Sequence, residues 1–214
     1  SGYASELATV AAIGDLTTAP TMRADDTTMA TTNVSPGEMK AIYFDGQDYT
    51  GASTRVYAYL GIPAGASAGS PVPGVVLVHG GGGTAFSTWV TRWNERGYAA
   101  ISIAVEGQTA TAATQEQKDN GEAVGNWLKH AMPGPNRSGT YNDTGVTPIT
   151  DQWMYHAVAD AVLANSLLRS LPEVDADEVG IMGVSWGGVI TSTTIGIDTR
   201  FAFAIPTFGC GHLY

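Results

Sequence analysis

The sequence V-G-I-M-G-V-S-W-G-G, residues 179–188, contains the motif that organises the rest of the chain. Its apolar first part is followed at once by Gly183-Val184-Ser185-Trp186-Gly187, which has the spacing G-x-S-x-G. This order predicts a buried strand, a sharp turn with Ser185 at its apex, and a helix that begins directly afterwards. Side chains at the flanking glycines would collide with the neighbouring strand and helix. We therefore predict that Ser185 is a nucleophile in a strained backbone conformation; a glycine-rich turn without chemistry is the alternative.

A second glycine-rich stretch, His79-Gly80-Gly81-Gly82-Gly83, follows the apolar run V-V-L-V. The run is typical of a strand that is buried on both faces of a parallel sheet. Four consecutive glycines lose much backbone entropy on folding, so they need a local reason. We predict that an amide of Gly81 or Gly82 and the amide of Trp186 form an oxyanion hole; a flexible loop is the alternative. His79 is expected to hold this stretch by hydrogen bonds.

The next segment predicts a strand, a helix and a second strand. Residues 85–96 carry apolar side chains at helical spacing, and residues 98–105 are apolar almost throughout. Together with the run before His79, they predict two parallel strands joined by a right-handed crossover. Glu106 follows the second strand, at the edge of the sheet where open α/β folds bind ligands. We expect Glu106 to line the substrate pocket, with a solvated loop charge as the alternative.

Residues 109–150 are polar and rich in glycine, asparagine and proline. Such a long connection is usually functional or mobile. We interpret it as a cap over the site and expect Trp127, on a helix within residues 115–130, to contact the substrate. A surface excursion without function is the alternative.

The remaining segments predict scaffold. Residues 1–37 form an N-terminal arm, and the domain proper spans residues 38–214. Two apolar runs, 39–44 and 54–60, predict an antiparallel hairpin at a sheet edge. The spacing of small and apolar residues predicts a helix over 152–171. His156 lies on it and is expected to be packed or partly exposed rather than catalytic.

A further apolar run, residues 201–206, predicts another buried strand after the Ser185 helix. Before the Ser185 strand, residues 175–178 are expected to form a turn.

Composition restricts the function. The chain has 214 residues, enough for one sizeable domain, and 43% of them are hydrophobic, which allows a packed core. Its net charge is −10, which argues against nucleic acid or an anionic membrane surface as a partner. No apolar run approaches the ~18 residues of a membrane span. Cys210 is the single cysteine, so an internal disulfide is excluded.

These motifs resemble the α/β-hydrolase superfamily, and more narrowly its branch of acetyl xylan esterases, cephalosporin deacetylases and dienelactone-hydrolase-like enzymes. The resemblance covers roughly residues 38–214 and is carried by His79–Gly83 with the surrounding strand-helix-strand, the 151–172 helix, residues 173–180 and Gly183–Gly188. It implies a mostly parallel α/β sheet with helices on both faces. It also implies hydrolysis of a small ester or acetylated carbohydrate through an acyl-enzyme, with no metal and no organic cofactor.

The sequence departs from that family after Ser185. Family members place the triad acid and then the histidine after later strands. Asp198 is too near the Ser185 helix for a triad acid, and His212 has no scaffold after it. A serine hydroxyl without a base is a poor nucleophile. We therefore expect a second polypeptide, or a missing C-terminal segment, to pair along residues 201–206 and supply both groups, since unpaired apolar edges recruit strands.

Three other interpretations stay open at this point. The first is a peptidase or amidase of the prolyl-oligopeptidase-like branch, which shares the serine turn. The second is a non-catalytic protein of the same fold that has lost its triad. The third, Cys210 as the nucleophile, is remote because a small buried cysteine is the simpler interpretation.

Overall fold

The computed structural model of the chain describes residues 2–137 and 148–209. Its helices are α1 (Gly2–Ala11), α2 (Ser87–Asn94), α3 (Gln115–Asp119), α4 (Trp153–Ser170) and α5 (Trp186–Ile195), with 3₁₀ turns at Ala12–Asp15 and Ile149–Asp151. Its strands are β1 (Met22–Arg23), β2 (Met39–Asp45), β3 (Arg55–Gly61), β4 (Val72–Val78), β5 (Ala99–Ile103), β6 (Gln108–Ala112), β7 (Ala123–Val124), β8 (Trp127–Lys129), β9 (Val174–Val184) and β10 (Ala204–Thr207). Within the described ranges, no helix combines the length and the apolar character needed to cross a lipid bilayer.

The main sheet has seven strands in the order β1-β2-β3-β5-β4-β9-β10. The four strands β5, β4, β9 and β10 are parallel, and their central member β4 is completely buried from Val75 to Val78. The predicted parallel strand-helix-strand unit is therefore confirmed, with α2 as its helix. A parallel sheet brings the carboxyl ends of its strands to one edge, and Ser185 directly follows β9 there.

The other half of the sheet is antiparallel. Strands β2 and β3 form the predicted hairpin, and β3 also pairs with β5. Beyond β2 lies the two-residue strand β1, which belongs to the N-terminal arm. The arm also contributes Ile13 and Val34 to the main hydrophobic core, where both are buried. Part of the arm is therefore built into the domain.

Helix α4 lies in the centre of the molecule. The spacing in its sequence predicts one apolar face, yet 14 of its 18 residues are buried. Most of these are alanine, valine or leucine, and small side chains allow close packing on several sides. The helix contacts β4, β5, β9 and α5, so it supports the strand and the helix that carry Ser185.

Two expectations about strands are corrected. Residues 175–178 are not a separate turn but part of β9, which runs from Val174 to Val184. Val72 of β4 pairs with Val174 of β9, and Gly74 pairs with Val179. Between these two pairs β9 advances by five residues and β4 by only two, so the extra residues of β9 form a bulge. Strand β10 is not buried, since Ile205 is 41% exposed and, among the described residues, β10 pairs only with β9.

The insertion folds differently from its prediction. Among the described residues of the insertion, α3 is the only α-helix, and it starts with a capping box between Thr114 and Gln117. Gly121 and Gly125 have φ values of +74° and +57°, which end the helix and turn the chain into the β7–β8 hairpin. Trp127 is therefore on a strand, not on a helix. Strands β6, β8 and β7 form a separate three-stranded sheet, and residues 138–147 of the predicted cap lie outside the described residues.

Candidate active site

Ser185 lies at the sharp turn between β9 and α5. Its φ of 58° and ψ of −118° are in a region that non-glycine residues rarely adopt, and its side chain is exposed. A Cβ at Gly183 would overlap the carbonyl group of Gly187, and one at Gly187 would overlap that of Val78. The turn formed by residues 183–187, the elbow, therefore requires glycine at both positions.

The elbow is fixed by backbone contacts. The N–H of Ser185 donates to the carbonyl of Thr207 in β10 at 2.8 Å, and its carbonyl accepts from Val189 at 3.1 Å. Trp186 is the first residue of α5, so its amide lies at the N-terminal end of the helix. The positive end of the helix dipole thus lies at the serine, where it favours developing negative charge.

Residues 80–83, the glycine loop, lie beside the elbow. A Cβ at Gly80 would lie 3.2 Å from Cβ of Ser185, and one at Gly81 would lie 2.7 Å from Cδ1 of Trp186. The loop turns tightly, with the N–H of Gly83 donating to the carbonyl of Gly80 at 3.0 Å and a φ of +76° at Gly82. The structure thus brings Ser185, Trp186 and the glycine loop together. The sequence motifs predict the same three parts to form one site.

Three side chains hold the carbonyl groups of this loop, one from the residue before it and two from the insertion region. His79 Nδ1 donates to the carbonyl of Gly80 at 2.7 Å, and Gln108 Nε2 donates to that of Gly83 at 3.0 Å. Trp127 Nε1 donates to the carbonyl of Gly82 at 2.9 Å. The glycine loop is therefore ordered by hydrogen bonds. The predicted substrate contact Trp127 contacts the loop itself, and Gln108 was not predicted.

His79 is a buried structural residue. It is 1% exposed, and burial lowers its pKa to about 4 despite the hydrogen bond to Gly80. A neutral ring that donates through Nδ1 must accept through Nε2, which receives the N–H of Val105 at 3.1 Å. His79 thus connects the glycine loop to the end of β5, in agreement with its expected role.

Glu106 is buried behind the glycine loop. It is 4% exposed, and its Oε1 lies 3.8 Å from Nε of Arg137. Burial raises the pKa of Glu106, against the opposing effects of the Arg137 guanidinium and of hydrogen bonds from the backbone N–H groups of Arg137 and Gly82. The side chain lines a cavity of about 220 Å³ together with Lys129 and Pro133. A solvated loop charge, the alternative for Glu106, is thereby excluded.

The ring of Trp186 contacts the side chains of Trp153 and Arg137. Trp153 packs against it edge-on, with ring centroids 5.5 Å apart, and the guanidinium of Arg137 lies 5.7 Å from its centroid. Trp153 is itself fixed, since its Nε1 donates to the carbonyl of Val105 at 2.7 Å. Trp186, the residue that follows the serine, is therefore in contact with both Trp153 and Arg137.

The described histidines do not supply a base for Ser185. His130 and His156 are buried like His79, and burial lowers the pKa of both, that of His130 to about 4. His156 Nε2 lies 2.8 Å from the carbonyl of Thr150. His212 and Cys210 lie outside the described residues.

Asp198 is engaged elsewhere. Its carboxylate accepts from Arg200 at 2.7 and 2.8 Å and from Asn165 at 2.9 Å. Burial opposes the ionised form, but these hydrogen bonds prevail and lower its pKa. The ion pair stabilises the end of α5, in agreement with the expectation that Asp198 is not a triad acid.

Two further observations concern ligands. In the part of the chain that the structure describes, no group of three or more His, Cys, Asp or Glu side chains could hold a metal ion. A polar cavity of about 660 Å³ lies between residues 46–51 and 148–155, away from the elbow and the glycine loop. The predicted site therefore does not coincide with that cavity.

A family model described as acetyl xylan esterase matches residues 21–209. No curated protein matches the chain in sequence. The matched region includes the elbow, the glycine loop and the whole insertion.

Several solved structures share the fold. Acetyl xylan esterase 1 from Thermoanaerobacterium sp. JW/SL YS485 aligns with a TM-score of 0.66 and 18% identity over 97% of this chain and 58% of its own. The acetyl xylan esterase from Paenibacillus sp. R4 aligns with a TM-score of 0.62 and 18% identity over 94% of this chain. The chain spans 58% of the length of each.

A puromycin-hydrolysing peptidase from Mycobacterium tuberculosis also aligns, with a TM-score of 0.50 and 23% identity over 80% of this chain and 22% of its own. The same fold thus occurs in esterases and in a peptidase, so the fold alone does not choose between the two reactions.

Proposed function

The chain belongs to the acetyl xylan esterase family, and from this we propose that it is a serine carboxylic ester hydrolase acting through Ser185. The observation that carries the proposal is the exposed Ser185 at a strained φ of 58°, between β9 and α5 and beside an ordered glycine loop. Strained non-glycine residues cluster at functional sites, where the surrounding structure holds them.

The substrate carbonyl oxygen would accept hydrogen bonds from the amide of Trp186 and from an amide of the glycine loop. Of the two loop residues that the sequence suggests, we propose Gly81 as the donor, because it lies directly beside Trp186. One such donor lowers the barrier by about 3 kcal/mol.

The reaction proceeds in two steps. Ser185 Oγ attacks the carbonyl carbon while a histidine base takes its proton, and the alcohol then leaves with that proton to give an acyl-serine. Water, deprotonated by the same base, attacks the acyl-serine and releases the carboxylic acid. Acetylated carbohydrates or similar small esters are the proposed substrates, in keeping with the family.

The base and its acid would come from polypeptide outside the described residues. The described histidines are buried, and the rings of His79 and His156 hydrogen-bond to backbone groups. Within the described part of the chain, the outer edge of β10 has no strand beside it. A C-terminal segment or a second polypeptide that pairs with β10 would bring new residues to the carboxyl edge of the sheet, where Ser185 lies. Strand edges with exposed apolar side chains such as Ile205 favour such pairing.

The test is labelling with a fluorophosphonate, followed by intact mass under denaturing conditions and by hydrolysis of p-nitrophenyl acetate. We expect one probe per chain at Ser185, and Ser185→Ala should lose the label and at least about 10⁴-fold in activity. Ser192→Ala, an exposed serine on the same helix, is the matched control and should label normally. Labelling of Ser185→Ala at the parental rate would contradict the proposal. A second polypeptide in the spectrum would identify the source of the base.

Comparison with p-nitroacetanilide separates the esterase from a peptidase or amidase. An esterase should hydrolyse the acetate ester far faster than the acetanilide, because the amide leaving group needs a well-placed acid that esters do not require.

A further inference from the structure

A groove of about 170 Å³ lies where the glycine loop leads into α2. It is lined by Tyr59, Thr84, Ala85, Phe86, Ser87, Thr88, Ala110 and Trp127. We call it the aromatic groove, since its three large side chains are aromatic. None of the described residues that line it carries a charge, so the groove suits a neutral ligand.

The aromatic groove adjoins the proposed oxyanion loop. Thr84 directly follows Gly83, and Trp127 Nε1 donates to the carbonyl of Gly82 at 2.9 Å. Gly81, one residue before, lies beside Trp186. A ligand in the groove therefore lies next to the loop that would receive the ester carbonyl.

The walls of the groove are held in place by neighbouring residues. Phe86 packs on Trp89 with ring centroids 5.1 Å apart, and its N–H donates to Ser102 Oγ at 2.9 Å. Tyr59 packs edge-on against Tyr57 at 5.6 Å. Ordered aromatic side chains bind with a smaller loss of conformational entropy than flexible ones.

From these observations we propose that the aromatic groove binds one neutral sugar ring from the alcohol part of the substrate. A pyranose has an apolar face of C–H groups that can lie on an aromatic ring and a rim of hydroxyls that can meet Ser87 and Thr88. The groove is smaller than a drug-sized pocket of about 300 Å³ or more, which fits one ring. The inference rests on the proposed function and adds the position of the sugar.

Trp127 would then have two functions. Its ring forms part of the groove wall, and its N–H holds the glycine loop. A sugar against this ring restrains the loop, so binding energy from a part of the substrate that does not react would assist at the ester.

The experiment measures binding of xylotriose, which carries no ester, by isothermal titration and tryptophan fluorescence. The parent and Ser185→Ala should bind it equally, because the sugar site does not need the nucleophile. Phe86→Ala, and Phe86→Leu, which keeps an apolar side chain without a flat face, should each weaken binding by about five- to tenfold. Leu7→Ala, on the exposed side of α1, is the control and should bind like the parent. Circular dichroism checks that each variant is folded.

Trp127→Phe separates the two functions of Trp127. It keeps a ring for the sugar but lacks the indole N–H, so we expect xylotriose binding within about threefold of the parent and a lower kcat for ester hydrolysis. Trp127→Ala should bind xylotriose more weakly and should also have a lower kcat for ester hydrolysis. In Phe86→Leu, the ratio of kcat/KM for acetylated xylotriose to that for p-nitrophenyl acetate should fall about five- to tenfold.

The outcomes distinguish this proposal from the esterase proposal. Failure of the parent to bind xylotriose, or equal binding by parent, Phe86→Leu and Trp127→Ala, would overturn the sugar site while Ser185 labelling still supports the esterase. Normal xylotriose binding with no labelling of Ser185 would support the sugar site and contradict the nucleophile.

Discussion

The elbow and the glycine loop are both glycine-rich and lie side by side, yet they are held in different ways. In the elbow, glycines are required because the backbones of β4, β9 and α5 leave no room for a Cβ. In the glycine loop, a Cβ at Gly82 would meet open space, and the shape depends on hydrogen bonds from His79, Gln108 and Trp127. The proposed nucleophile is thus fixed by close packing of the backbone, whereas the proposed oxyanion donor is positioned by side chains.

Gly183→Ala should have the largest effect, since it breaks the elbow itself. The new Cβ would overlap the backbone of Gly187, which cannot shift without moving α5. We expect a loss of about 4 kcal/mol or more in the free energy of unfolding, measured by urea denaturation. Gly69→Ala, where a Cβ meets nothing within 4 Å, is the matched control. Equal stability of the two variants would show that the elbow tolerates a side chain.

Acid should weaken the glycine loop more than the elbow, because the loop depends on a buried neutral histidine. The pKa of His79 is 6.5 in the unfolded chain and about 4 when folded. Between these values the unfolded chain binds a proton that the folded one does not, so stability falls as the pH drops from 6.5 and levels off below about 4. The loss from His79 is about 3 kcal/mol.

His130 provides the comparison for that titration. Burial lowers the pKa of His130 to about 4 as well. His130 is, however, not one of the side chains described above as hydrogen-bonded to the glycine loop. His130→Gln should therefore reduce the pH dependence of urea denaturation without changing ester hydrolysis at neutral pH. His79→Gln should reduce the pH dependence and also lower the rate. If both variants hydrolyse esters like the parent, His79 does not support the site.

Gly81→Ala tests the contact between the two segments. The added methyl would lie 2.7 Å from Cδ1 of Trp186, so the ring or the loop must move. We expect kcat/KM for p-nitrophenyl acetate to fall about 100-fold, the effect of losing one oxyanion donor, with a smaller loss of stability than in Gly183→Ala. An unchanged rate would assign the donor to another residue.

Gln108→Met should have the smallest effect. It keeps the side-chain volume but removes the hydrogen bonds to the carbonyl of Gly83 and from the N–H of Glu106. Buried groups left without partners reduce stability by about 2 kcal/mol, and a less ordered loop should lower kcat about tenfold. Gln115→Met, an exposed glutamine on α3, is the control. A rate equal to that of the control would mean that His79 and Trp127 suffice to hold the loop.

The difference between the elbow and the glycine loop also explains how much of the site could be predicted from the sequence. The elbow is visible as a local pattern, because its requirements involve residues a few positions apart. The glycine loop is also visible, but Gln108 and Trp127 follow it by 25 and 45 positions, respectively, and only the fold brings them to it. Glu106 likewise pairs with Arg137, which lies far along the sequence within the insertion, and this pairing leaves no local signal.

The misplaced elements have physical reasons too. Trp127 was expected on a helix, but glycines with positive φ turn that segment into a hairpin. The 201–206 segment is apolar like a buried strand, yet β10 lies at an edge where Ile205 and Pro206 are exposed. Apolar composition alone does not distinguish a central strand from an edge strand.

The hydrogen bond from the N–H of Ser185 to the carbonyl of Thr207 connects the proposed nucleophile with the edge strand β10. Gly188 adds to this connection, since a Cβ there would lie 2.8 Å from the carbonyl of Thr207. If a neighbour pairs with β10 as proposed, it would also order the serine, so that assembly and activation would be one cooperative event. The rate at which the Ser185 amide exchanges with deuterium would then measure, in a single signal, the fraction of chains in which β10 is paired.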